Sequence, residues 1–214
     1  MWTLALETTT AHGSLALLRD DAVVAERRLE SQRTSVTLFG ALKSLLAEAG
    51  LELERVGLFA VADGPGSFTG VRLGLTAVKG FVEVLGTPAV AVSTLQAVAD
   101  SAGNGAGNVA EPTLAALDAG RGEAYYGVYP AQEEGLEPAD ALRERVRRLG
   151  LRAVTPHPAL QAACPELELV GPLLAAAVGR LGLAAFRAGH TQDALRLDAR
   201  YLRRSDAELF AAVP

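Results

Sequence analysis

Two carboxylates close short apolar runs in this chain. Glu7 ends the run of Ala5-Leu6-Glu7-Thr8-Thr9-Thr10, and Asp118 ends Ala116-Leu117-Asp118. Carboxylates at the ends of equivalent strands in two lobes would face each other across a cleft. There they could hold a metal–nucleotide complex or act as a base; the plainer reading is two solvated acids at strand ends. A glycine-rich turn, Gly64-Pro65-Gly66-Ser67-Phe68-Thr69-Gly70, lies between them in sequence. Pro-Gly favours a tight turn, and the free N–H groups of a helix starting after it form a generic anion site. Glu7, Thr8, Thr9, Gly64, Gly66, Ser67 and Asp118 are thus the candidate residues of a vestigial nucleotide or phosphate cleft. The turn is neither a Walker A loop, since no lysine follows before Lys79, nor a G-x-S-x-G nucleophile elbow. A strand-to-helix turn whose glycines serve close packing is the competing reading, as is a threonine run that bonds its own backbone.

Metal chemistry finds little support. His12, His157 and His190 are far apart and unpaired at helical spacing, and with Cys164 they make no zinc pattern. No catalytic residue and no metal ligand is assigned from the residues.

The elements that must position these groups follow from hydrophobic pattern and turn chemistry. Trp2 to Leu6, Ser14 to Leu18 and Ala22 to Leu29 read as a meander of three strands. A helix is predicted from Thr34 to Ala49, with Leu38, Leu42, Leu45 and Leu46 on one face and Gly50 as its stop. Gly57 to Ala62 is a strand, a helix runs from the glycine-rich turn to near Gly86, Pro88 to Val92 is a strand, and Ser93 to Ala102 a helix. That order implies a mixed sheet with helices on its faces. Residues 103–108 read as a linker. Beyond it the chain begins again: Ala116-Leu117-Asp118 matches Ala5-Leu6-Glu7, and Gly122 matches Gly13. The remainder offers a strand from Glu123 to Tyr129, a helix from Ala139 to Leu149, a Pro-rich stretch, a strand at Leu167 to Val170 and a helix from Leu173 to about Ala188. The expected organisation is a first lobe over 1–104, an abbreviated second lobe over 109–200 and a tail over 201–214.

The helix after the glycine-rich turn is unusual. Arg72, Thr76, Lys79 and Glu83 form one polar stripe, and nearly everything else is apolar or glycine. Packing on one core needs an arc of only ~100°, so this helix must be covered on two sides, either within the chain or by a partner. Gly70 and Gly74 would admit another backbone closely. The candidate partner interface comprises Thr34, Leu38 and Leu42 of one helix and Gly70, Val71, Gly74, Leu75, Val78 and Val82 of the other.

Composition narrows the class further. The lone Cys164 forbids an intrachain disulfide framework and suggests a reducing cytoplasm. Met1 to Leu6 lacks a basic leader, and no uncharged run reaches the ~20 residues of a spanning helix, so no membrane role is expected. The net charge of −5 makes a poor general trap for nucleic acid. Between Ala139 and Arg204, however, eleven basic and six acidic residues leave a local excess of +5.

In combination, these motifs resemble the bacterial TsaB (YeaZ) family. They are Ala5 to Thr10, Gly64 to Gly74, Ala91-Val92-Ser93-Thr94-Leu95, Leu117 to Tyr126 and Tyr201-Leu202-Arg203. The resemblance implies an α/β, actin-like (ASKHA) fold of two lobes, the second abbreviated. It further implies a non-catalytic role in making threonylcarbamoyladenosine in tRNA. Such a protein pairs with its paralogue, the transferase TsaD, supports the ATPase TsaE, and forms a homodimer when alone, through the two helices of the first lobe. It would meet tRNA through the complex and require no cofactor itself, ATP and magnesium being used by the complex. The paralogue carries a histidine pair at positions that correspond to Thr94 and Val98 here, and Gly171-Pro172 stands where it has a Gly-Gly turn. Glu7 replaces the family's usual Asp. The alternative expectation is an actin-like ATP-binding enzyme of small-molecule kinase type; a peptidase is disfavoured by the missing metal pair.

Overall fold

The computed structural model of the chain describes residues 1–29, 34–103, 107, 109–193 and 196–203, the side chains of Thr34 and Ser35 excepted. The predicted meander is present as β1 (Trp2–Glu7), β2 (Ser14–Arg19) and β3 (Ala22–Arg28). β1 and β2 pair antiparallel with Glu7 opposite Ser14. The chain continues through α1 (Thr34–Glu48), β4 (Leu58–Gly64), α2 (Phe68–Leu85), β5 (Ala89–Ser93) and α3 (Thr94–Ser101). α2 and α3 start where a serine caps the first turn: Ser67 accepts from Gly70 N, and Ser93 from Gln96 N. α2 ends at Gly86, which adopts the left-handed conformation that glycine tolerates best.

The second half comprises β6 (Thr113–Gly120), β7 (Glu123–Tyr129), β8 (Glu133–Pro138), α4 (Ala139–Leu149), β9 (Arg152–Thr155), α5 (Pro158–Ala163), β10 (Glu168–Leu169) and α6 (Ala175–Arg187). β8, β9 and α5 go beyond the sequence reading. β8 is an edge strand rich in glutamate and closed by Pro138, and so lacks apolar alternation. β9 has only four residues, and α5 lies inside the Pro-rich stretch with Pro158 in its first turn.

The two five-stranded sheets run β3-β2-β1-β4-β5 and β8-β7-β6-β9-β10. Each is a meander of three strands followed by two parallel additions, so the weak repeat in sequence is a repeat of topology, with β6 in the place of β1. The shortening of the second copy falls on its helices and on the two-residue β10, while the strand order is intact. The linker reading at 103–108 falls largely on residues 104–106 and 108, outside the described residues.

Three apolar clusters make a layered stack. Leu4, Leu6, Phe59 and Val61 face α1 and α2 on one side of the first sheet. Ala5, Ala60, Val90 and Val92 face α6 on the other, and α3 carries the same cluster on to Ala115, Leu117 and Tyr125 of the second sheet. Leu114, Ala116 and Ala153 face α4 and α5. α6, although it falls within 109–200, packs on β1, β2, β4 and β5 of the first sheet. The abundance of alanine thereby has a packing role. A Cβ at Gly182 would stand 2.6 Å from that of Ala60, and one at Gly179 2.4 Å from Leu18 Cδ1 and 3.2 Å from the Ala5 Cβ, so α6 lies close on the sheet at both glycines. No helix among the described residues is long and apolar enough to cross a membrane.

Candidate functional site

The end of β1 folds into a polar knot. Glu7 is fully buried. Its Oε1 accepts from Thr9 N, from the Thr9 hydroxyl at 2.7 Å and from Thr10 N at 2.9 Å, while Oε2 accepts from the Thr10 hydroxyl at 2.8 Å. Three bonds crowd Oε1 and one reaches Oε2, so this buried carboxylate is held on both oxygens by its own turn. The Thr9 hydroxyl lies 2.9 Å from that of Thr94, and since Thr9 donates to Glu7, Thr94 donates to Thr9. Val98, one turn further along α3, is buried in the core.

The glycine-rich turn wraps this knot. Ser67 N donates to the Thr9 carbonyl at 2.7 Å, and the Thr8 hydroxyl donates to the Gly70 carbonyl at 2.7 Å. A Cβ at Gly66 would collide with the Thr9 carbonyl, one at Gly70 with the Thr8 carbonyl, and one at Gly74 would stand 2.5 Å from the Thr8 hydroxyl oxygen. The glycines are therefore required by close packing on Thr8 and Thr9. Ser67 N and Gly70 N, donors that an anion at this helix start would claim, are already paired with Thr9 and with the Ser67 side chain.

A cleft of about 1050 Å³ opens between the lobes. Thr9, Gly66 and Ser67 line it from the first lobe and Asp118 from the second, whereas Glu7, Thr8 and Gly64 lie buried behind its wall. Asp118 is exposed; its Oδ1 accepts from Gly120 N at 2.8 Å, closing a turn at the bulge of β6. Its own N–H donates to His157 Nδ1 at 2.9 Å, which places the neutral ring's proton on Nε2. Burial pushes the His157 pKa down, with Asp118 opposing. The two carboxylates of the repeat thus differ: one is internal and bonded to its own turn, the other closes an exposed turn.

Several cleft groups escaped the sequence reading. Phe68 and Arg72 from α2, Tyr125 and His157 from the second lobe, and Tyr201 and Arg203 from the C-terminal segment all line it. Next to Tyr201 in sequence, Arg200 pairs with Asp63 at 3.4 Å and with Glu134 at 3.5 Å, and Glu134 accepts from Ser93 Oγ at 2.5 Å and from the Tyr129 hydroxyl. Burial pushes the Asp63 carboxyl up to about 6 against the pull of Arg200. Burial and the neighbouring Glu134 push the Tyr129 phenol up. The match at Tyr201-Leu202-Arg203 is the signal that marked this segment. Among the described residues, no group of three or more His, Cys, Asp or Glu side chains converges as a metal site.

The candidate interface residues take a different place from the one expected. Leu38, Leu42, Val71, Leu75 and Val78 are at most 6% exposed and pack against the first sheet. Gly74 is buried against Thr8, Gly70 and Val82 are half-buried, and the side chain of Thr34 lies outside the described residues. Periodicity selects the apolar face of a helix, and here that face is the one the sheet covers. The outward apolar groups are others: Val36, Phe39 and Val84, at 78%, 54% and 82% exposure. Phe39 meets Phe81 edge-on at 6.4 Å, and Phe81 stacks on Phe59 of β4 at 5.2 Å. Gly40 and Gly80, beside Phe39 and Phe81 in sequence, have open space where a Cβ would be.

Comparison with known proteins bears on this arrangement. A family model described as "TsaD: tRNA N6-adenosine threonylcarbamoyltransferase" matches residues 28–169. The tRNA threonylcarbamoyladenosine biosynthesis protein TsaB of Escherichia coli (strain K12) is 36% identical over 135 residues, 62% of this chain and 57% of that protein. Its namesake in Bacillus subtilis (strain 168) is 35% identical over 138 residues, 64% of this chain and 58% of the relative. The matched part of the chain therefore spans a little under three-fifths of these relatives. The solved structure of YeaZ from Pseudomonas aeruginosa superimposes with a TM-score of 0.74 at 26% identity, covering 94% of this chain and 99% of its own. The activator of the 2-hydroxyisocaproyl-CoA dehydratase from Clostridium difficile, solved with bound ADPNP, shares the fold alone, with a TM-score of 0.56 at 11% identity, covering 88% of this chain and 97% of its own. With mixed sheets flanked by helices, these neighbours assign an α/β actin-like fold.

Proposed function

Because this chain belongs to the family described as tRNA N6-adenosine threonylcarbamoyltransferase, in its TsaB/YeaZ branch, we propose that it is a non-catalytic partner subunit in the biosynthesis of threonylcarbamoyladenosine in tRNA. Its partner is a TsaD-type transferase, with a TsaE-type ATPase joining the pair and a homodimer forming when the chain is alone. It meets tRNA through that complex, in the cytoplasm.

The observation that supports the reading is the buried, internally bonded end of β1. In an actin-like enzyme the strand-end carboxylate and the turn before α2 would engage a metal–nucleotide. Here all four bonds of Glu7 go to Thr9 and Thr10, and Ser67 N goes to the Thr9 carbonyl. These residues do not fit a magnesium–nucleotide complex, so no step is assigned to one on this chain; ATP and magnesium belong to the complex. Thr94 and Val98 are likewise absorbed into the knot and the core.

What the chain does instead is present a rigid helix pair. α1 and α2 are held on the first sheet by their inner leucines and valines, which leaves Phe39, Val36 and Val84 outward. Desolvating aromatic and aliphatic groups of this kind at the centre of an interface supplies most of its affinity. The inner residues Leu38, Leu42, Val71, Leu75 and Val78 act by fixing the helices.

Titration of purified TsaD-type transferase with this chain, followed by sedimentation or calorimetry, tests the pairing. A one-to-one complex that Phe39→Asp weakens at least tenfold is expected. No complex, or an unchanged affinity in folded Phe39→Asp, would refute it.

A further inference from the structure

The segment that carries the cleft residues Tyr201 and Arg203 touches both lobes within four residues, Arg200 to Arg203. It arrives from Leu197, which is fully buried in the cluster beneath α1 and α2. Arg200 N donates to the Asp63 carbonyl at the end of β4 at 2.8 Å. The Arg200 carbonyl oxygen lies 2.8 Å from where a Cβ on Gly64 would stand, and Gly64 has a φ of +107°. The backbone of this segment is thus seated on the glycine-rich turn.

From that seat the side chains divide. Arg200 bridges Asp63 of the first sheet and Glu134 of the second. Tyr201 turns to the first lobe, where its ring stacks on Phe68 at 5.3 Å and its hydroxyl accepts from Arg72 Nε at 3.2 Å. Arg203 reaches the second lobe, donating to the Ala119 carbonyl at 2.8 Å and pairing with Glu123.

We propose that residues 199–203 are a strap that fixes the opening of the inter-lobe cleft and ties α2 to the second lobe. The electrostatics at its root give the reason. Asp63 and Glu134, from opposite sheets, have side chains only 8% and 9% exposed, and both reach the Arg200 guanidinium. Arg200 is the shared cation between them. Without it two poorly solvated carboxyl groups would lose the cation that joins the sheets, a state relieved by protonating one of them, admitting water or moving the sheets apart. Tyr201 and Arg203 fasten the two rims on either side of that root. The strap rests only on contacts within the chain and stands independently of the partner reading.

Distances between spin labels at two exposed sites, one per lobe, test it: Glu54→Cys and Ala162→Cys, with Cys164 replaced by alanine. One narrow distance distribution is expected with the strap intact. Arg200→Met should broaden it and shift its main distance upward. Tyr201→Ala with Arg203→Ala, which removes contacts at the exposed rims, should do the same while circular dichroism shows the fold retained, and it carries the test if Arg200→Met does not fold. Tyr201→Phe, which keeps the stack, should lie near the parent. An unchanged distribution in folded Tyr201→Ala/Arg203→Ala overturns the proposal.

Discussion

The hydroxyls of Thr9 and Thr94 meet 2.9 Å apart, fastening the start of α3 to the turn after β1. Both side chains are buried, and the bond continues through Thr9 to the Glu7 carboxylate. Thr94 is thereby one member of an internal hydroxyl chain. Chains of this kind are costly to break, since each buried group left without a partner loses its hydration as well as its bond.

Glu7→Gln keeps the shape of the side chain but removes its charge; an amide oxygen in place of Oε1 keeps the three bonds from Thr9 and Thr10 N, and the NH₂ in place of Oε2 meets the Thr10 hydroxyl, which can rotate to accept. Denaturant unfolding should report a loss of about 1–2 kcal/mol, the charge assistance removed from these bonds. Support for the transferase should survive under conditions where the variant stays folded. Loss of that support at unchanged stability would mean that Glu7 acts in the chemistry.

Gly70→Ala drives a Cβ into the Thr8 carbonyl, with backbone on both sides of the clash. It should be destabilised by more than about 3 kcal/mol. Gly80→Ala, ten residues along the same helix and facing open space, should gain roughly 0.5–1 kcal/mol, the ordinary difference in helix propensity. Equal thermal shifts for the two would contradict the packing assigned to the glycine-rich turn.

Leu75→Arg and Phe39→Asp separate the two faces of the helix pair. Leu75 is 5% exposed and Phe39 54%. The first should unfold the first lobe, because a charge would be buried against the sheet. The second should leave the unfolding midpoint within about 1 kcal/mol of the parent and weaken only association. A Leu75→Arg chain that folds normally would relocate the interface to the inner face.

Acidity should act through Asp63, whose carboxyl titrates near 6 when folded against 3.8 when free. Between those values the folded chain binds the proton more readily, so this group's contribution is complete below about pH 4 and is lost as pH rises through about 6. The change amounts to at most roughly 3 kcal/mol. The stability difference between the parent and Asp63→Asn should vary across that window and be flat above it. A difference that does not change with pH would remove the assigned burial effect.

How much of this was legible in the sequence depended on what kind of pattern each part needed. The meander, α1, α2 and the repeat of strand, acid and turn were readable because their apolar spacing and glycine stops are local. β8 was not, since an edge strand of glutamates closed by a proline carries no alternation. The split between the inner and outer faces of α1 and α2 was only half legible for a physical reason: amphipathic spacing finds the face that a sheet covers, so Leu38, Val71 and Leu75 stand out in the sequence while the exposed Phe39 and Val84 do not. The strap was invisible except as a motif match, because Asp63, Glu134 and Arg200 are distant in sequence and only the topology brings them together. The four bonds to Glu7 were likewise unreadable, although Thr9 and Thr10, which supply them, were in plain view.

The most direct test is reconstitution of the modification. Purified TsaD-type transferase, TsaE-type ATPase, threonylcarbamoyl donor, ATP and unmodified tRNA are combined with or without this chain, and threonylcarbamoyladenosine is measured by nucleoside mass spectrometry. Product that depends on this chain, survives Asp118→Ala and falls with Phe39→Asp is the predicted result. Equal product without the chain, or product abolished by Asp118→Ala in a folded protein that still pairs, would contradict the account.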